Sequence, residues 1–248
     1  KLPAKSAHRV QDYVKQLYQR KYNGAYGMIA WHTLAKETDN FNISALAEWS
    51  WNTNGRSVRE FSIAWATHQK IENTSLFADC SEIVGNLAFD VYDSDFPIAY
   101  SQGKIIDLIK ERKRPYLGES IFRYYESKKS FENKRVAFKR AQILAAELPP
   151  NYILETNIIG TYLDLAESIW HIAEILATNN LDQKKDQKEI QKWLKKLSLN
   201  GEKNINAIRV WRTSLGPEPW YNRVYDTITS TQQTVDEICS FINERYIF

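Results

Sequence analysis

The obvious carboxylate pair for acid–base work is Asp93-Ser94-Asp95, within Phe89-Asp90-Val91-Tyr92-Asp93-Ser94-Asp95-Phe96-Pro97. Glycoside hydrolysis takes two carboxyl groups, about 5 Å apart for retention and further for inversion. Alternation along an extended loop would put both on one side. The same Asp and Ser preferences make turns and caps between helices, and a pair with no partner to orient it lacks the geometry that proton transfer needs. The turn reading is therefore favoured and no catalytic residue is assigned. Of the four histidines, His8, His68 and His171 fall in helical stretches, with no G-x-S-x-G elbow near any serine. No His pair has the zinc-binding i, i+4 spacing and no glycine-rich phosphate loop follows a strand, so neither metal nor cofactor is expected. Cys80 and Cys239 match neither a zinc spacing nor a dense disulfide framework; pairing with each other is open to them, and small buried hydrophobes are the favoured reading. His32 is the exception by position. It follows the apolar run Gly27-Met28-Ile29-Ala30-Trp31, and residues just past a barrel strand face the active site. A plain loop histidine serves equally well, and Trp31, Thr33 and Lys36 share the ambiguity.

Charge narrows the classes further. Lys and Arg number 33 against 30 Asp and Glu, too even a balance to neutralise a phosphate backbone, so nucleic acid is not an expected partner. No apolar run reaches the roughly 20 residues that cross a bilayer, and the polar start at Lys1 has no signal-peptide core behind it. A soluble chain with no membrane partner is expected. Because it opens on Lys1 and not Met, a segment upstream is expected as well. Eight Trp and fourteen Tyr supply either sugar-stacking faces or core, with core the default.

The elements that must position these residues are nearly all helical. Val10, Tyr13, Val14, Leu17 and Tyr18 share one face of a first helix from about Ser6 to Tyr22, stopped at Asn23-Gly24. Gly27 to Trp31 reads as a buried strand. Phe41 to Trp51 fits a helix through Phe41, Ala45 and Trp49, although Ala45, Ala47 and Trp49 also fit alternation. Ser57 and Glu60 form a capping box that starts a helix with Val58, Phe61, Trp65 and Ala66 inward. Helices follow at about Ser75–Leu87, Gln102–Lys113, Ser130–Leu148, Asn151–Thr178, Asp182–Leu197, Glu202–Leu215 and Tyr221–Glu244, broken at Pro149-Pro150 and Gly216-Pro217. Two long seams, Ile158-Tyr162-Leu165-Ile169-Ala173-Leu176 and Val224-Ile228-Thr231-Val235-Ile238-Ile242, have the spacing of bundled helices. The fold class expected is mainly α: residues 1–72 as the end of a barrel-like (β/α) region, and 73–248 as a helical bundle.

The order Gly27-Met28-Ile29-Ala30-Trp31-His32-Thr33, a polar loop, then Ile43-Ser44-Ala45-Leu46-Ala47-Glu48-Trp49-Ser50-Trp51-Asn52 resembles the end of the catalytic TIM barrel of β-N-acetylglucosaminidases and related hexosaminidase-like glycoside hydrolases. There a last strand is followed by a helix ending in "YxWNP" and by a helical C-terminal domain. The resemblance spans roughly Tyr22 to Asn52. It implies a sugar pocket lined by Trp31 and His32, with Trp49 or Trp51 near it and Glu48 binding a sugar hydroxyl or Arg56. The family's sugar-contacting Asn falls near Trp31 or His32 here, and Thr53 replaces the proline after "WN". The family's acid pair lies several strands earlier and has no match in this chain. A Trp-rich helix end that docks a barrel on a bundle also accounts for Trp49, Trp51 and Asn52.

The expected function is thus the non-catalytic C-terminal portion of a β-N-acetylhexosaminidase-type hydrolase, supporting the barrel and lining its pocket. Carbohydrate would be met through that parent enzyme. A second hypothesis is a helical module that binds a protein or glycan through aromatics near Tyr116–Tyr125 or Pro217-Glu218-Pro219-Trp220-Tyr221. A third, a complete small enzyme, rests on Asp93 and Asp95.

Overall fold

The computed structural model describes residues 3–24, 36–92, 98–114, 122–125, 127–178, 183–216 and 226–246, with the backbone alone at 36–39, 91–92 and 98–101. Every regular element among them is a helix: α1 (Ala7–Gln19), α2 (Lys36–Trp51), α3 (Val58–His68), α4 (Thr74–Tyr92), α5 (Ile98–Lys110), α6 (Lys128–Ala145), α7 (Pro150–Thr178), α8 (Lys184–Ser214) and α9 (Thr227–Arg245). The mainly α class is as expected. The strand expected at Gly27 to Trp31 lies outside the described residues, as do Asp93 and Asp95.

The chain divides into two compact units. The first comprises residues 1–89, 136–156 and 213–218, and the second 90–135, 157–212 and 219–248.

In the first unit, α2 buries Phe41, Ala45 and Trp49, the i, i+4, i+8 face that favoured a helix over a strand. These side chains join a continuous aromatic train. Trp49 meets Phe61 at 5.1 Å between ring centroids, Phe61 meets Phe41 at 5.4 Å, and Phe41 meets Trp65 edge-on at 5.1 Å. Trp65 stacks on Phe77 at 5.3 Å, and Phe77 meets Tyr152 at 5.4 Å. Each such pair adds about 0.5–1.5 kcal/mol beyond its buried area, so the train fixes how α2, α3 and α4 pack. The capping box of α3 forms as expected: the Glu60 N–H donates to Ser57 Oγ, and the Ser57 N–H donates to Glu60 Oε2 at 2.8 Å.

Helix ends are where the expectations needed correction. The first helix stops at Gln19, ahead of Asn23-Gly24. Lys21 takes a left-handed φ of 61°, its N–H reaches Tyr18 O, and the Tyr22 N–H reaches Leu17 O. This is the paired hydrogen bonding of a Schellman cap. The same cap closes α3 at Lys70 (φ 59°) and α5 at Arg112 (φ 51°). A basic residue stands in all three places where glycine is usual. The expected inward face of α1 is also only half covered, because Val14 is buried while Tyr13 and Tyr18 are 43% and 65% exposed.

In the second unit the α7 seam holds completely: Ile158, Tyr162, Leu165, Ile169, Ala173 and Leu176 are each fully buried. On α9, Thr231, Val235, Ile238 and Ile242 are buried and Ile228 is half-buried, while Val224 lies outside the described residues. The expected helices Asp182–Leu197 and Glu202–Leu215 are one helix, α8, running through Asn200-Gly201. Gly201 is there for contact, not for a break. A Cβ on it would stand 2.8 Å from Cγ2 of Val235, so α9 approaches α8 where α8 has no side chain. The pairing is antiparallel, since Ser198 lies beside Cys239 at 3.7 Å and Arg212 Nη2 donates to Asp226 Oδ1 at 2.7 Å. The other oxygen of Asp226 caps α9, accepting the N–H groups of Ile228 and Thr229.

Candidate docking surface

Of the residues singled out for sugar contact, Glu48 and Trp49 belong to the α2–α3 corner. Trp49 is fully buried, and its indole N–H donates to the Arg56 carbonyl at 3.0 Å. The same carbonyl accepts from Gln11 Nε2 at 3.1 Å. Trp49 is therefore a staple across the Asn52-Thr53-Asn54-Gly55 turn. The Gly55 N–H closes that turn on Asn52 O at 2.9 Å, and a Cβ at Gly55 would stand 2.9 Å from the same oxygen. Glu48 pairs with the Arg56 guanidinium at 3.5 Å on the surface, one of the two roles expected of it. Such an exposed pair contributes little stability.

Trp51 has no such role. It is 93% exposed and sits two turns after Ile43 and one after Ala47, both also exposed, so the three form an apolar stripe at i, i+4 and i+8 along the face of α2 opposite its core. Solvated Trp is uncommon, and buried Trp anchors are enriched among the residues that dominate interface energies. Trp31 and His32, the other two residues of the expected pocket, lie outside the described residues.

The other polar clusters join one helix to another. Arg135 pairs with Asp164 at 2.6 Å and with Glu167, and Lys128 pairs with Glu174 at 2.9 Å. His171 stacks on Trp193 with centroids 3.8 Å apart, and burial holds its pKa below the ordinary value. These are belts that tie helices together. Burial pushes the Cys80 thiol up to about 11, which keeps it protonated and poorly nucleophilic at neutral pH. Among the described residues, no group of three or more His, Cys, Asp or Glu is placed to hold a metal ion, and no helix is long and apolar enough to cross a membrane.

No family model, curated protein or solved structure matches this chain. One cluster had no signal in the sequence: Lys5 and Glu155, 150 positions apart, form a buried ion pair, and nothing local to either residue marks the other.

Proposed function

We propose that this chain is the non-catalytic, C-terminal helical portion of a glycoside hydrolase of the β-N-acetylhexosaminidase type, and that it supports the catalytic barrel by docking through the Ile43-Ala47-Trp51 stripe of α2. The observation that carries this reading is the 93% exposure of Trp51, in the segment whose residues resemble the end of such a barrel. Within that segment the two tryptophans divide the work. Trp49 holds the corner together from inside, and Trp51 is left for a partner surface. Covering an indole of this kind is worth ~2 kcal/mol or more at an interface, enough to shift a docking equilibrium by over tenfold.

The test compares the isolated chain with the full gene product on an aryl N-acetylglucosaminide. The isolated chain is expected to show no turnover, and the full product to hydrolyse the substrate through carboxylates outside these residues. In the full product, Trp51→Ser is expected to lower the unfolding midpoint and the activity together, while the same change in the isolated chain leaves its midpoint unaltered. Hydrolysis by the isolated chain would overturn the reading, as would a full product indifferent to Trp51→Ser.

A further inference from the structure

Residues Pro3 to Ser6 precede α1 without regular structure, yet they are held as a bound peptide is held. Asn42 on α2 reads their backbone in both directions: its Oδ1 accepts the Ser6 N–H at 2.8 Å, and its Nδ2 donates to the Ala4 carbonyl at 2.9 Å. A carboxamide used this way recognises main chain, whatever side chains it carries. Gly85 on α4 leaves the space through which the chain passes, since a Cβ there would overlap the Lys5 carbonyl. Between these contacts the Lys5 side chain enters the interior. It is 6% exposed, ion-paired to Glu155 and set 4.9 Å from the centroid of the Tyr152 ring. Beside the pair lies a small cavity lined by Phe77, Cys80, Val84, Tyr152 and Glu155.

A buried carboxylate beside an aromatic ring recognises an ammonium ion through charge and through the face of the ring. It also demands one, because a buried carboxylate without a counter-ion is strongly disfavoured. We infer that Asn42, Gly85, Tyr152 and Glu155 form a peptide-binding groove selective for an unmodified lysine side chain, which the chain fills with its own Lys5. The ligand class is a lysine-bearing peptide of the Pro-Ala-Lys-Ser kind. Acetylation removes the charge that Glu155 requires.

Trypsin reads the groove directly, because it must reach Lys5 to cut the Lys5–Ser6 bond. In the full chain that bond is expected to resist cleavage while exposed lysines such as Lys113 are cut, as followed by mass spectrometry. Gly85→Ala and Asn42→Ala are each expected to speed its cleavage at least tenfold. In a second arm, the full chain carrying Lys5→Gln is mixed with excess synthetic peptide of residues 1–7. The peptide is expected to raise the unfolding midpoint, and its Lys5-acetylated form to leave it unchanged. A folded Gly85→Ala chain with the bond still protected overturns the inference. Equal effects of the two peptides, or no effect of either, overturn it as well, and this arm decides the matter if Gly85→Ala does not fold.

Discussion

Replacing Gly201 by Ala sets two effects of known size against each other. Alanine inside a helix is favoured over glycine by about 1 kcal/mol, so an isolated α8 would gain. The new methyl, however, would sit 2.8 Å from Cγ2, 3.7 Å from Cβ and 3.8 Å from Cγ1 of Val235, and overpacking a close contact costs about 1–3 kcal/mol. Val235 has little freedom to yield, being 5% exposed and β-branched with one strongly preferred rotamer in a helix. The clash wins: Gly201→Ala is expected to destabilise the protein by roughly 1 kcal/mol. The assay is urea unfolding followed by circular dichroism, with a lowered midpoint and an unchanged slope. Val235→Ala alone leaves a gap and is expected to cost about 2 kcal/mol. In the double variant the alanine at 201 finds that gap, so the pair should be more stable than Val235→Ala alone, with a favourable coupling of about 1–2 kcal/mol. If Gly201→Ala stabilises the Val235 background by its full helix-propensity gain, the close approach of α8 and α9 is wrong.

Ser57→Ala removes one half of the α3 capping box and is expected to cost about 1 kcal/mol in urea unfolding. The Ser57 N–H, then its hydroxyl, hold the Glu60 carboxyl below its ordinary value of 4.5. This contribution is therefore present above about pH 4.5 and lost as pH falls through the lower folded value, and Ser57→Ala should flatten that acid limb. Lys70→Gly relieves a left-handed non-glycine residue and is expected to raise stability by about 0.5–1 kcal/mol. Arg112→Gly should gain less, because Arg112 Nε also donates to Leu176 O at 2.8 Å. Burial lowers the His171 pKa from 6.5, with Glu167 and Glu174 partly opposing it. Below about pH 6.5 the unfolded chain takes up that proton first, so stability should fall as pH drops through the lower folded value, and His171→Gln should remove that part of the melting-temperature profile.

What could be read in advance was whatever repeats along a helix or sits within four residues of its partner. The α7 seam, the Phe41-Ala45-Trp49 face and the Ser57–Glu60 box are of this kind. The stops of α1, α3 and α5 were hidden because their left-handed positions hold Lys21, Lys70 and Arg112, and nothing in a lysine announces a positive φ. The gap expected between Leu197 and Glu202 failed for a different reason, since Gly201, which lies in it, serves to admit a neighbouring helix and does not end its own. Trp49 and Trp51 are two residues apart and chemically alike, yet one is fully buried and the other is 93% exposed. Their separation follows from the 100° step of a helix, which is why settling α2 as helix also settles which of them can meet a partner. Lys5 and Glu155 are joined only by the fold.

Asp226 uses its two oxygens differently, one to start α9 and one to hold Arg212, fourteen positions back at the end of α8. The corner is thereby closed chemically at its base, and the helix pairing beyond it is registered by Gly201 against Val235. One carboxylate is thus a shared clamp: Asp226→Ala would release Arg212 and the first turn of α9 together, so the end of α8 and the start of α9 should fray as a unit.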